Sequence, residues 1–430
     1  MPVSIGRPDE TGRREERARR RPASATAAGL QRRPDRKPSR RNTQVRRNAL
    51  VLAWIVVAAV LAVLIIAGPL ASWGTWLPLH ALLLGGIGSA ITVWSAHFAD
   101  TLLHRPALGG AALLDARLYA HGAGTALLLV GITASWPVVA IAGVTIIVLA
   151  ALTGVVAISV QYRRAVAPRL AALAIHYAVA LMLLALGAVF GYLTNWAEAR
   201  GSTHLSDVFY VAHTTTMVLG FVGTTVLGTL TVLWPTMLRT KMEPEAPRWT
   251  TRGLPLLVCG TALVAASGLF SPLAVVGMIV YLAGACGVIV PGFKTARRVP
   301  PTSFATASAA AAVIWFLIGV VRIGTGIGVS ALGDAGAVGQ AAAAREVIHG
   351  VRVLLAAGFA LQVLAGALSY LSPVMLGGGP AATRATNAIM DRAAAYRVVA
   401  ANACLALALL TVLPWEVRMS GAVTAGSEWG

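Results

Sequence analysis

Three histidines lie near the starts of apolar segments that are long enough to cross a lipid bilayer as helices: His80, His213 and His349. Neutral imidazole is a ligand for heme iron, copper and zinc. An ionisable group inside a membrane is costly without a partner, so each histidine is a candidate functional residue. Two imidazoles at matched depth on different helices would hold a b-type heme between them. The alternative is three hydrogen-bonded core residues.

Further histidines and a methionine extend the set of candidate ligands. Met217 follows His213 by four residues and shares its helix face, and an imidazole with a thioether suits copper, particularly Cu(I). Apolar packing is the more common role for a methionine. His121 and His176 lie towards the opposite ends of their segments, where a second heme or simple hydrogen bonding would account for them equally well.

Two arginines lie within apolar surroundings, Arg322 and Arg352. Arg352 is one turn from His349, and a heme propionate would supply the anion that a buried guanidinium requires. Pairing with Glu346, or extension of the side chain to the membrane surface, is the alternative.

The segments that carry the three histidines share an internal repeat. The stretch Gly228-Thr-Leu-Thr-Val-Leu-Trp-Pro235-Thr-Met-Leu resembles Gly366-Ala-Leu-Ser-Tyr-Leu-Ser-Pro373-Val-Met-Leu, and Gly220-Phe matches Gly358-Phe at the same offset. The segment of His80 matches more weakly, through Gly88-Ser-Ala-Ile-Thr-Val-Trp94. That alignment places His80 two turns deeper than His213. The glycines of the repeat would allow close approach of a flat macrocycle or of another helix.

The composition is that of a polytopic membrane protein, with 57% hydrophobic and 12% charged residues. We predict an all-α bundle of about eleven or twelve transmembrane helices in repeated four-helix units. Residues 1–48 form a basic, disordered cytoplasmic tail, residues 49–414 the helical domain and residues 415–430 a polar stub. Eleven apolar segments are predicted near residues 49–70, 75–98, 117–134, 137–160, 170–193, 207–235, 252–270, 272–292, 304–329, 346–373 and 396–414.

Charge predicts the orientation of the chain. The net charge of +19 lies in the tail and in alternate loops, including one with Arg105 and Arg117, so we favour membrane topology over nucleic-acid binding. The N-terminus is then cytoplasmic, the C-terminus extracytoplasmic, and the plasma membrane the expected location. The second, sixth and tenth segments run from outside to inside, with their histidines in the outer third.

These residues resemble subunit I of the heme-copper oxidases. The stretch from His213 through Gly220-Phe-Val-Gly-Thr-Thr-Val-Leu-Gly to Leu-Trp-Pro235, with Leu361-Gln-Val-Leu-Ala-Gly, is similar to non-pumping relatives such as the NnrS family. It also resembles the N-terminal membrane module of actinobacterial multicopper oxidases of the copper nitrite reductase type.

The resemblance implies that His80 and His349 are the axial pair of a low-spin heme b and that His213 is a copper ligand. A pair formed by His213 and His349 is the second possibility. The seventh predicted segment, residues 252–270, lacks the paired histidines that an oxidase carries there, which argues against oxygen reduction. We therefore expect electron transfer or sensing linked to a multicopper oxidase or nitrite reductase partner. The rival prediction is a multipass transporter without a redox cofactor.

Overall fold

The computed structural model describes residues 40–165, 170–333, 336–376 and 379–426, and this part of the chain is helical without a β-strand. Long apolar runs favour helix here, since a membrane-spanning backbone must satisfy its own hydrogen bonds. The helices are α1 (Arg40–Ile66), α2 (Trp76–Leu103), α3 (Gly110–Thr133), α4 (Pro137–Arg163), α5 (Ala174–Glu198), α6 (Thr203–Met237), α7 (Ala246–Ala265), α8 (Leu273–Arg298), α9 (Phe304–Ser330), α10 (Ala337–Pro373), α11 (Gly379–Met390) and α12 (Ala394–Gly426).

Among the described residues, nine helices are long and apolar enough to cross a membrane, or ten if α11 and α12, bent by 40° at their junction, form one span. This is the architecture of a multi-pass membrane protein. Large apolar side chains such as Val56, Val138 and Ile279 are more than half exposed, as expected for helices that face lipid. Eleven or twelve spans were predicted; α3 coincides with one of the predicted segments but is too polar to be one of these nine.

Two helices extend past the bounds predicted for the helical domain, residues 49–414. α1 begins at Arg40, so the last residues assigned to the tail are helical, and residues 1–39 lie outside the described part of the chain. α12 continues to Gly426, so most of the predicted polar stub is helical.

Charged side chains fasten the polar helix α3 to its neighbours. Asp115 accepts hydrogen bonds from Arg47 at 2.7 Å and from Arg46 at 3.2 Å, both on α1. Arg117, which we expected in a loop, is buried two turns inside α3 and donates from Nε to the carbonyl of Ala150 on α4 at 3.1 Å. Its guanidinium lies where a side chain at Gly154 would be. α3 therefore packs into the bundle through polar contacts.

Small residues let consecutive helices approach closely. On α7 and α8, a Cβ added to Gly253 would collide with the carbonyl of Gly284, and a Cβ on Gly284 would collide with the carbonyl of Gly253. The two backbones are thus in direct contact, a common arrangement in membranes. At these positions the glycines serve helix packing.

Candidate functional site

The three helices that carry the candidate histidines share a local distortion. Each contains one π-helical stretch: Ala81–Ile87 in α2, Thr216–Gly223 in α6 and Leu354–Leu361 in α10. The last two lie 138 residues apart, the offset that relates Gly228 to Gly366 in the sequence repeat. The repeat is therefore structural as well as sequential. π-helical turns inside α-helices occur frequently at functional sites.

The fourth residue of two π stretches accepts a hydrogen bond from a buried side chain of another helix. The Leu84 carbonyl accepts from His121 Nε2 of α3 at 2.9 Å, and the Leu219 carbonyl accepts from the Tyr281 hydroxyl of α8, also at 2.9 Å. A carbonyl can only accept, so Nε2 of His121 carries the proton in this contact. His121 thus supports α2 at Leu84, and its Nε2 atom is occupied by this hydrogen bond.

His80 and His213 lie side by side at the centre of this arrangement. Their ring centroids are 6.1 Å apart and their planes differ by 4°. His80 Nδ1 donates to the Trp76 carbonyl at 2.8 Å, and His213 Nδ1 donates to the Gly187 carbonyl at 2.8 Å. The Trp76 ring packs against His80 with 4.5 Å between centroids. Both histidines are half-buried.

These hydrogen bonds select one tautomer for both histidines. Because each Nδ1 donates to a carbonyl, the neutral ring has its lone pair on Nε2. A ring nitrogen bonded to a backbone carbonyl is also the usual support of a metal-ligating histidine. Two metal–imidazole bonds of about 2.0–2.1 Å, with about 1.2 Å from each nitrogen to its ring centre, separate the centroids by about 6.4 Å. The observed centroid separation of 6.1 Å is close to the value for two imidazoles that face one another across a single metal.

Helix α5 packs directly against the His213 ring. A Cβ on Gly191 would lie 2.7 Å from His213 Nδ1, so only glycine leaves room for the ring. One turn earlier, Gly187 supplies the acceptor carbonyl, and a Cβ there would lie 2.6 Å from Met217 Sδ. Met217 therefore packs beside His213 against the same helix. We did not predict this role for α5, although the four-residue spacing of its glycines was a signal.

The remaining predicted ligands occupy separate places. His349 lies on α10, which packs against α6. The ring contact joins His80 to His213, and a pairing of His349 with either of these two histidines stays a prediction. His176 is fully buried on α5, where it packs against Gly228 and lies near the main chain of Leu173. Neither of its ring nitrogens is in hydrogen-bond geometry with a described group.

The two predicted arginines differ in environment. Arg322 is exposed on α9, which favours the alternative that it extends to the membrane surface. Arg352 is half-buried on α10 and lies within electrostatic range of Tyr210 on α6. Only Arg352 is therefore placed near the helix that carries His213.

A charged cluster that the sequence analysis missed joins α5, α6 and α10. Arg345 bonds Asp207 at 3.0 Å and Glu198 at 3.1 Å, and its guanidinium lies 4.7 Å from the Tyr210 ring centroid. Ser206 bridges the cluster by donating to Glu198 at 2.9 Å. The cluster lies within two turns of His213 along α6 and fixes the relative position of the three helices.

The donor set limits what the site can hold. Among the described residues, no three His, Cys, Asp or Glu side chains come close enough to form a metal site, so the donors available to the predicted copper centre are His213, the neighbouring His80 and the Met217 sulfur. A pair of neutral imidazoles suits the axial positions of a heme or a two-coordinate Cu(I). Comparison of the chain with protein-family models, curated proteins and solved structures gave no match.

Proposed function

We propose that this chain is a heme-binding electron-transfer protein of the plasma membrane, in which His80 and His213 would hold a b-type heme. The single observation that carries the proposal is the ring pair, 6.1 Å apart and nearly parallel, with both Nδ1 atoms bonded to backbone carbonyls. When bound, the heme would supply one-electron exchange. The proposal pairs His80 with His213, whereas the sequence predicted His80 with His349.

The chain's own residues would set the properties of the heme. The carbonyls of Trp76 and Gly187 hold both rings in the ligating tautomer and raise their basicity. The π stretches, braced by His121 and Tyr281, hold α2 and α6 in the register that brings the rings together. Arg352 is the candidate counter-ion for a propionate, since a cation near an anionic group in an apolar region is stabilising.

The proposal includes an orientation and a partner. The positive-inside pattern places the N-terminus in the cytoplasm and the paired histidines in the outer third of the membrane. An electron carrier at that depth would exchange electrons with a protein at the outer face, and the resemblance points to a multicopper oxidase or nitrite reductase. Cu(I) held by the same two imidazoles is the alternative occupant.

The test is an optical spectrum of the full-length protein, purified after expression with ample heme precursor, followed by pyridine hemochrome and metal analysis. We expect a Soret band and one heme b per chain. His80→Ala and His213→Ala should each remove the low-spin signal. His97→Ala is the matched control, because His97 is exposed at the other end of α2 and should leave the spectrum unchanged.

The alternatives give different results in the same samples. Copper without heme would place Cu(I) at the pair. Protein without any chromophore or metal that drives solute uptake into vesicles would support the transporter prediction and reject the heme.

A further inference from the structure

An apolar cavity of about 370 Å³ lies at the end of the bundle opposite the His80–His213 pair, between α6, α8 and α9. This volume is within the range of about 300–1,000 Å³ that small-molecule sites occupy. Its walls are apolar side chains from all three helices, including Leu230, Trp234, Val288, Ile289, Ala310 and Val313.

The cavity opens sideways, towards the surface that faces lipid. Phe293 of α8 and Ile314 of α9 line it and are each more than half exposed. Trp234 closes the inner wall, where its indole Nε1 donates to the Gly292 carbonyl at 3.0 Å. A long apolar chain could therefore enter from the bilayer without crossing a polar surface.

Two arginines at the end of α8 contact residues that line the cavity: Arg297 lies 5.9 Å from the centroid of the Phe293 ring, and Arg298 pairs with Glu243. They belong to a basic end of the bundle. The ends of α6 and α8 and the start of α7 hold seven basic residues against two acidic ones: Arg239, Lys241, Arg248, Arg252, Lys294, Arg297 and Arg298, with Glu243 and Glu245. Each glutamate is in an ion pair, Glu243 with Arg298 and Glu245 with Arg248. Five cations remain without a carboxylate within 4.0 Å among the described residues.

From this combination we propose that the cavity is a binding site for one anionic phospholipid, with an acyl chain in the apolar cavity and the headgroup phosphate among the cations at its mouth. Basic pockets between transmembrane helices are suited to anionic headgroups. The Arg-rich N-terminal segment is a poor occupant, because the cations at the mouth would repel it. This inference is independent of the heme proposal.

Native mass spectrometry of the full-length protein, in micelles with equal phosphatidylglycerol and phosphatidylcholine, tests the proposal. We expect one retained phosphatidylglycerol and little phosphatidylcholine. Ala310→Trp should abolish retention, since the indole fills the cavity that Ala310 lines. Arg297→Gln should weaken it about fivefold, the effect of one cation near an anionic surface. Arg163→Gln, which removes an exposed arginine at the end of α4, is the matched control and should retain the lipid.

Two outcomes would overturn the proposal. Equal retention of both lipids would show that the headgroup charge is not recognised, and full retention in Ala310→Trp would show that the chain does not enter the cavity. Val313→Phe fills the same cavity with a smaller ring. It decides the question if Ala310→Trp does not fold, as judged from its thermal unfolding midpoint.

Discussion

Replacing Gly191 with alanine adds one methyl group and should displace the His213 ring. The added Cβ would lie 2.7 Å from His213 Nδ1 and 2.8 Å from Cε1. Apolar atoms pack at about 3.5–4.0 Å, so the ring must move by roughly 0.7 Å or more. Such a shift strains or breaks the 2.8 Å bond from Nδ1 to the Gly187 carbonyl. It also exceeds the tolerance of about 0.2 Å for metal–ligand distances.

The expected consequences are a loss of stability and a loss of cofactor. Overpacking costs about 1–3 kcal/mol, and the weakened hydrogen bond adds about 1 kcal/mol. Disturbing the support of a ligating histidine lowers metal affinity by about 10- to 100-fold. We would measure the thermal unfolding midpoint and the heme content of the purified Gly191→Ala protein against the unmodified chain.

Two glycine controls separate the clash from other effects of the methyl group. Gly350 lies in a helix with no atom within 4 Å of an added Cβ, so Gly350→Ala should be neutral or stabilising by up to about 1 kcal/mol. Gly124→Ala forces α3 against the Gly143 carbonyl and should lower stability without a specific loss of heme. If Gly191→Ala matched Gly350→Ala in both measurements, the proposed packing of His213 against α5 would be refuted.

Two further substitutions test the contacts around the pair. Tyr281→Phe removes the donor to the Leu219 carbonyl and should cost about 1–3 kcal/mol in the free energy of unfolding. Tyr396→Phe is the control, since this tyrosine is exposed and the change should have little effect. Equal thermal unfolding midpoints for the two variants would contradict the bracing role of Tyr281. Arg345→Gln should destabilise by about 1–3 kcal/mol, and adding Asp207→Asn should recover part of the loss because the buried carboxylate is no longer unpaired. Strictly additive losses would exclude coupling between these two residues.

The sequence predicted the helices well and the geometry of the histidines less well. Apolar runs mark helices directly, so all eleven predicted segments coincide with helices of the structure. The alignment of Gly88 with Gly228, an offset of 140, placed His80 two turns too deep. The π stretches begin at Ala81 and Thr216, an offset of 135, which brings the two histidines to nearly the same depth. Aligning the two helices on their π stretches, instead of on Gly88 and Gly228, gives the relative depth that agrees with the contact between the rings.

Other parts of the site could not be predicted because they depend on contacts between helices. Nothing in the composition of α3 or α8 indicates that His121 and Tyr281 would each reach the fourth residue of a π stretch. The 138-residue offset of the repeat relates Asp207 to Arg345, so the sequence marks these two positions as equivalent, but equivalence alone does not predict that they form an ion pair.

The optical spectrum of single-histidine variants tests the proposed ligand pair most directly. Full-length protein, His80→Ala, His213→Ala and His349→Ala would be purified with ample heme, and their low-spin bands and pyridine hemochromes compared. We predict that the band is lost in His80→Ala and in His213→Ala and persists in His349→Ala. Loss of the band in His349→Ala with retention in His213→Ala would contradict the His80–His213 pair, and an unmodified protein without a Soret band would contradict heme binding itself.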